Sequence, residues 1–171
     1  MRISNNLLMV KYLPLLLISL FFLSNRLGYC QNIQPKDVVS IGTKIFRDSL
    51  KTKDLLYLNV ILNIKDGWHI NANKPLDEYL TPTTVTLDSS KYFKILNVKY
   101  PAPQYKKLDF SDKLLALYVE QATVEFTLKI IKPGEVPGGK FKGEVGYQPC
   151  NNQTCLFPVK KDFYIDLNNK K

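Results

Sequence analysis

Apolar side chains recur at every second position from Leu56 to Ile64 (Leu56, Leu58, Val60, Leu62, Ile64), with Tyr57, Asn59, Ile61 and Asn63 between them. In extended chain a period of two sends one set to each face, so the spacing predicts a strand over 55–64 with one buried face and one turned at least partly to water. The pattern is cleaner over 123–131. There Val124, Phe126, Leu128 and Ile130 suit a core, and Thr123, Glu125, Thr127 and Lys129 suit solvent. Weaker extended segments are predicted at 38–46 (broken by Gly42), 68–72, 85–87, 93–100, 114–120, 141–148 and 163–167, the last with Phe163, Ile165 and Leu167 inward. Turn formers separate them: Lys65, Asp66 and Gly67; Pro75 and Pro82 within 73–82; Asp88, Ser89 and Ser90; Pro101 and Pro103; and a Pro- and Gly-rich turn over 133–139. Residues 104–113 carry Tyr105, Leu108 and Phe110 among charges and read as a loop. Short alternating strands parted by turns, without a long amphipathic helix, predict an all-β domain, either a sandwich or a small barrel.

In 68–72, neighbouring residues point to opposite faces, so Trp68 and His69 are not both expected in the core. Trp68 is the better core candidate. His69, the single histidine of the chain, is then expected to look outward or sideways, as a hydrogen-bonded structural residue.

The 171-residue chain opens differently. From Tyr12 to Leu23 it is apolar apart from Ser19, behind Arg2 and Lys11, which is short for a bilayer span and suits the core of a secretory signal. Residues 1–30 are therefore expected to be a signal peptide and 31–171 the exported domain. Gly28 and Cys30 are small residues at the −3 and −1 positions of a cleavage before Gln31. Cys30 also admits a second reading, as a lipidated cysteine, although Tyr29 is bulky for such a site. Taking Arg2, Lys11 and Arg26 from the 24 basic residues leaves 21 against 15 acidic ones, a charge of +6. These are scattered lysines with no arginine stripe or binding module, so nucleic acid is not an expected partner. Membrane contact is expected only through a lipid on Cys30 or a membrane-bound reductase.

The candidate chemistry lies in GEVGYQPCNNQTCLFP, residues 143–158, where Cys150 and Cys155 bracket four polar residues. The pair has three readings: a staple, half of a metal site, or a redox dithiol. Two cysteines and one histidine fall short of the usual four ligands of structural zinc, and neither metal nor cofactor is expected. As a staple the bond would close a very short loop, worth about 2 kcal/mol in the chain-entropy model. Asn151, Asn152, Gln153 and Thr154 are turn formers with nothing apolar to bury, which places the sulfurs on an accessible tip open to in-line attack. Lys160 is the one charge within five residues of the pair, so little built-in thiolate activation is expected.

YQPCNNQTCLFP, with DGWHINANKPLDEYLTPTTVTL and YPAPQY upstream in matching order, resembles the N-terminal periplasmic domain of the thiol:disulfide interchange protein DsbD over about residues 36–167. The resemblance implies an immunoglobulin-like β-sandwich whose cysteine pair shuttles electrons between thioredoxin-like redox proteins and periplasmic disulfide proteins. It also implies that Cys155 forms the mixed disulfide and Cys150 resolves it. A phenylalanine on a cap loop shields the disulfide in that family; Phe110 is the natural candidate here, and Tyr105 the second. In the best-studied DsbD domain aromatic hydroxyls lie near the pair, on the strand where this chain has His69 and Asn71. The spacing departs too, with four residues between the cysteines here and five there. The membrane carrier and thioredoxin-like domain of full-length DsbD have no counterpart in these residues, so the reductant is expected on another polypeptide. The competing reading is a non-catalytic exported β-sandwich that binds a ligand or protein and keeps its disulfide as a staple.

Overall fold

The computed structural model describes residues 33–47, 54–88, 93–131 and 140–166. The expected signal segment, Cys30, Ser89 and Ser90, the 133–139 turn and Leu167 lie outside them. After a single 3-10 turn at Pro35–Asp37, eleven strands run through the described residues. They are β1 (Val39–Arg47), β2 (Leu55–Ile64), β3 (His69–Asn71), β4 (Thr84–Leu87), β5 (Phe93–Lys99), β6 (Gln104–Lys107), β7 (Leu114–Val119), β8 (Gln121–Ile130), β9 (Lys140–Tyr147), β10 (Pro149–Cys150) and β11 (Val159–Asp166).

They form three antiparallel sheets, ordered β1-β2-β8-β5, β10-β3-β7-β6 and β11-β9-β4. The first is one layer of a sandwich. The other two make the opposite layer, joined where β9 runs on through Gln148 into β10 and so changes sheet. One core receives side chains from all three: Leu58, Val60, Leu62, Val124 and Phe126 from the first, Ile70, Ala116 and Tyr118 from the second, Val85, Val145, Tyr147 and Ile165 from the third. The alternation over 55–64 and 121–130 is the cause, since each strand offers an unbroken apolar face to that core. The chain is thus all-β, as its pattern predicts, and of the two architectures the pattern left open it is the sandwich that the resemblance implies.

Two sharp bends set up the site. In the first, Trp68 N–H donates to the Lys65 carbonyl at 3.0 Å, closing a turn in which Gly67 sits at φ +77°. That left-handed conformation suits glycine, and the turn delivers β3 directly afterwards. In the second, Glu120 at φ 60° is the lone residue between β7 and β8, where the chain crosses from one layer to the other.

Gly143 lies opposite Phe163 across the β9–β11 pair. A Cβ there would fall inside the contact distance of the Phe163 ring, to which its three nearest atoms all belong. Because Phe163 is buried, its ring cannot swing aside freely. Gly143→Ala is expected to lower unfolding stability by about 1–3 kcal/mol, measured by denaturant titration.

Residues 104–113 depart from the expected loop, because Gln104–Lys107 form β6 against β7. Every residue of this edge strand is exposed, so its sequence carries no apolar alternation from which a strand could be read.

Candidate functional site

Beyond β9 the chain makes a hairpin with its own bracing. The Pro149 carbonyl accepts the Leu156 N–H at 2.8 Å, and Asn151 N–H donates to the Thr154 carbonyl at 2.9 Å. Asn151 Oδ1 accepts the N–H groups of both Gln153 and Thr154 at 2.9 Å. Here the asparagine acts as turn former, its short side chain standing in for a backbone acceptor. Between these bonds Cys150 and Cys155 face each other as an antiparallel bridge, with Cα atoms 4.0 Å apart, and their sulfurs are bonded.

The two sulfurs sit in unlike surroundings. Cys150 is 0% exposed, whereas Cys155 is half-buried. The sequence pattern implied an accessible tip for both; Asn152, Gln153 and Thr154 are exposed and Asn151 is half-buried, but Cys150 lies on β10, the edge strand of its sheet, and is fully buried. It pairs with His69 of β3, which in turn pairs with Val119 of β7. Directly opposed residues share a face, so Cys150, His69 and Val119 form a row on the face turned away from the main core. Asn71 and Leu117 form the next row of that face. Ile70, between His69 and Asn71, enters the core.

This outer face is itself covered. Leu108, Leu115 and Leu117 make a second, smaller apolar cluster, with Leu80 and Val119 packed against it. Leu108 belongs to the 108–113 loop and Leu80 to the 73–82 loop, and both loops lie over the sheet. Asp109 N–H donates to the Asn152 carbonyl at 3.2 Å, tying the first loop to the tip of the cysteine hairpin. Exposed Lys113 and half-buried Asp77 join the two loops through an ion pair at 3.6 Å.

All three residues of β3 are therefore buried, His69 being 5% exposed. The expected outward His69 is corrected: the strand has a core on each side, so alternation no longer separates buried from exposed. Burial, and secondarily the positive charge of Lys106, lower the His69 pKa below its ordinary 6.5, while a hydrogen bond to the Asn151 backbone opposes them. The ring's Nε2 has no hydrogen-bond partner. Asn71 Nδ2 donates to the Thr81 carbonyl at 3.0 Å and to Gln148 Oε1 at 3.2 Å, while Asn71 Oδ1 is buried without a partner.

Gln148, which sequence reading passed over, accepts from Asn71 and from Thr81 N–H and donates to the Leu156 carbonyl, so it links β3, the 73–82 loop and the hairpin. A polar residue one step before a cysteine strand gave no sign of that role. Lys106 was equally silent, since its effect on His69 depends on pairing with β7. Of the cap candidates, Phe110 directly follows the residue bonded to the hairpin and is 41% exposed. Tyr105 is opposite Ala116, a core-facing residue, and so lies on the other face of the sheet from Cys150 and is 60% exposed. The structure thus brings together Cys150, Cys155, His69, Asn71 and the Phe110 loop, and leaves Tyr105 apart. Among the described residues no group of three His, Cys, Asp or Glu side chains is placed to hold a metal ion.

The two sulfurs are joined as a disulfide, the kind of bond that thiol–disulfide exchange opens and re-forms. Comparison with known proteins agrees with that chemistry. The family described as thiol:disulfide interchange protein DsbD, N-terminal, matches residues 39–167. No curated protein matches the sequence. Among solved structures, the N-terminal periplasmic domain of ScsB from Proteus mirabilis superposes with a TM-score of 0.54 at 15% identity, covering 80% of this chain. The match spans about half of that protein's chain, 49%. The GAE domains of yeast GGA1 and of GGA2p from Saccharomyces cerevisiae match with TM-scores of 0.45 and 0.43, at 12% and 13% identity. They cover 80% and 81% of this chain, and 96% and 94% of their own.

Proposed function

The chain belongs to the family of N-terminal domains of the thiol:disulfide interchange protein DsbD, and from that premise we propose that it is an exported, periplasmic exchange domain relaying electrons through Cys150 and Cys155. Its donors are thioredoxin-like redox proteins and its acceptors are disulfide-bonded proteins. One observation carries the reading: the bond joins residues five apart in a hairpin that its own hydrogen bonds hold, so it can open without releasing the sandwich.

A donor thiolate attacks Cys155 Sγ, the more accessible sulfur; Cys150 leaves as a thiolate and is protonated. The donor's second thiolate then attacks its own sulfur in the mixed disulfide and frees Cys155. In the second half, the Cys155 thiolate attacks an acceptor disulfide and expels one acceptor thiol. Deprotonated Cys150 then attacks Cys155 Sγ, re-forming the bond and expelling the second. Two electrons and two protons pass from donor to acceptor.

Reduction with dithiothreitol tests this. The reduced domain is expected to keep its near-UV circular dichroism and to lose about 2 kcal/mol of stability, the chain-entropy value for so short a loop. Iodoacetamide is expected to alkylate Cys155 well before Cys150, resolved by peptide mass spectrometry. A bond that resists reduction until unfolding, with a potential below about −300 mV, would instead mark a staple.

A further inference from the structure

The strand register sets an imidazole beside the buried sulfur. His69 and Cys150 are direct partners across β3 and β10, and opposed residues of an antiparallel pair carry their Cβ atoms about 4.5–5.5 Å apart on one face. Both side chains are buried on that face, which also carries the Leu108 cluster. His69 Nε2 is a buried polar atom with no hydrogen-bond partner, an arrangement that native proteins rarely leave without a reason. The oxidation state supplies one here. A disulfide sulfur carries no proton to donate, whereas reduction turns Cys150 into a thiol whose S–H can donate, with the His69 ring opposite it on the same face.

Resting on the exchange function above, we propose that His69 is the general base and acid of Cys150: Nε2 takes the thiol proton as Cys150 attacks Cys155 Sγ, and returns a proton when Cys150 leaves as a thiolate. In ring closure the S–H bond of Cys150 breaks and the new S–S bond forms. The acceptor's sulfur departs with the electron pair of the mixed disulfide, and the proton passes through His69 to water or to that departing thiolate. The step requires no further reactant.

The surroundings fit a base rather than a standing cation. Lys106 of β6 is the charged group whose field acts on the ring, and with burial it favours the neutral form. On β7 the facing residue is Val119, which has no charge to offer, and on β10 it is Cys150 itself. From the hairpin, the Asn151 backbone engages the ring. The loop above brings Asp109 and Asp112, both exposed, with Asp109 tied to Asn152 by its backbone. Since the folded pKa of His69 lies below 6.5, its base function is present at neutral pH and is lost as pH falls through that lowered value.

The test is ring closure, followed by rapid acid quench, after reduced protein is mixed with hydroxyethyl disulfide between pH 6 and 9.5. At pH 7, His69→Gln is expected to close roughly tenfold more slowly or worse, and to converge on the unaltered protein near the top of the range, where the thiol ionises unaided. Parallel pH profiles for the two proteins overturn the proposal. If neither protein exchanges with the disulfide or with dithiothreitol, it is the exchange function that fails. Should His69→Gln not fold, the unaltered chain still decides. His69 is its single histidine, so with no histidine tag its ring C–H signals stand alone in a proton NMR titration. They are expected to shift and titrate differently in the oxidised and reduced forms; identical titrations overturn the proposal.

Discussion

Cys150→Ser protein is expected to accumulate a mixed disulfide through Cys155 when mixed with a single-cysteine thioredoxin-like protein whose sulfur is pre-activated as a mixed disulfide with thionitrobenzoate, which leaves as the thiolate when Cys155 attacks, and Cys155→Ser protein is expected to accumulate none. The unequal burial of the two sulfurs, 0% exposed for Cys150 and half-buried for Cys155, decides the asymmetry. Exchange needs access to the attacked sulfur, and Cys155 is the more accessible of the two. With Cys150 removed, nothing beside the mixed disulfide can resolve it from this side. A donor carrying one cysteine cannot resolve it from the other, so the adduct should persist on the order of minutes to hours. Non-reducing electrophoresis with a single-cysteine donor reads the outcome directly. Equal trapping by both variants would remove the distinction between attacked and resolving sulfur, and with it the proposed order of steps.

That asymmetry was only partly legible in the sequence. Leu55 to Ile64 and Gln121 to Ile130 announce themselves because each has one buried face and one wet face, the condition under which side-chain alternation survives as a pattern. β3 breaks the condition: its layer is covered on both sides, so His69, Ile70 and Asn71 are all buried. The rule that Trp68 and His69 cannot share the core holds, yet it misplaces His69, because it assumes that the second face is wet. β6 fails in the opposite sense, with no buried face at all. For the hairpin, the residues between the cysteines foretell the turn, and Asn151 holds it as expected of an asparagine there. The apolar residues that cover the outer face of this layer come from distant parts of the chain, Leu80 and Leu108 packing with Leu115, Leu117 and Val119, and no local composition encodes that coverage. The family was legible through the resemblance carried by the cysteine segment, and the match over residues 39–167 establishes it.

Leu108→Ala is expected to speed reduction of the disulfide roughly 30-fold while leaving the sandwich folded. Leu108 is the one residue of the 108–113 loop in the small outer cluster, and its main partners there are Leu115 and Leu117 of β7. Truncating a buried leucine costs about 2–5 kcal/mol, and the low end suits a small cluster whose loop can relax. Two kcal/mol is about a 30-fold change in an equilibrium constant. Because Leu108 is absent from the main core, the loss falls on local opening of the loop, and the population of uncapped hairpin rises by that factor. If attack on Cys155 proceeds through the uncapped form, the rate with dithiothreitol follows it. The Asp109 amide, bonded to the Asn152 carbonyl, is the internal gauge, since its hydrogen exchange should accelerate by the same factor. Leu58→Ala removes a comparable side chain from the main core and should leave the reduction rate nearly unchanged, because global unfolding is too rare to serve as the route. Phe110→Ala keeps the Leu108 anchor and removes only the ring next to the hairpin bond, so its effect measures the shielding due to that ring. Faster exchange of the Asp109 amide with no change in reduction rate would mean that the loop does not control access to Cys155.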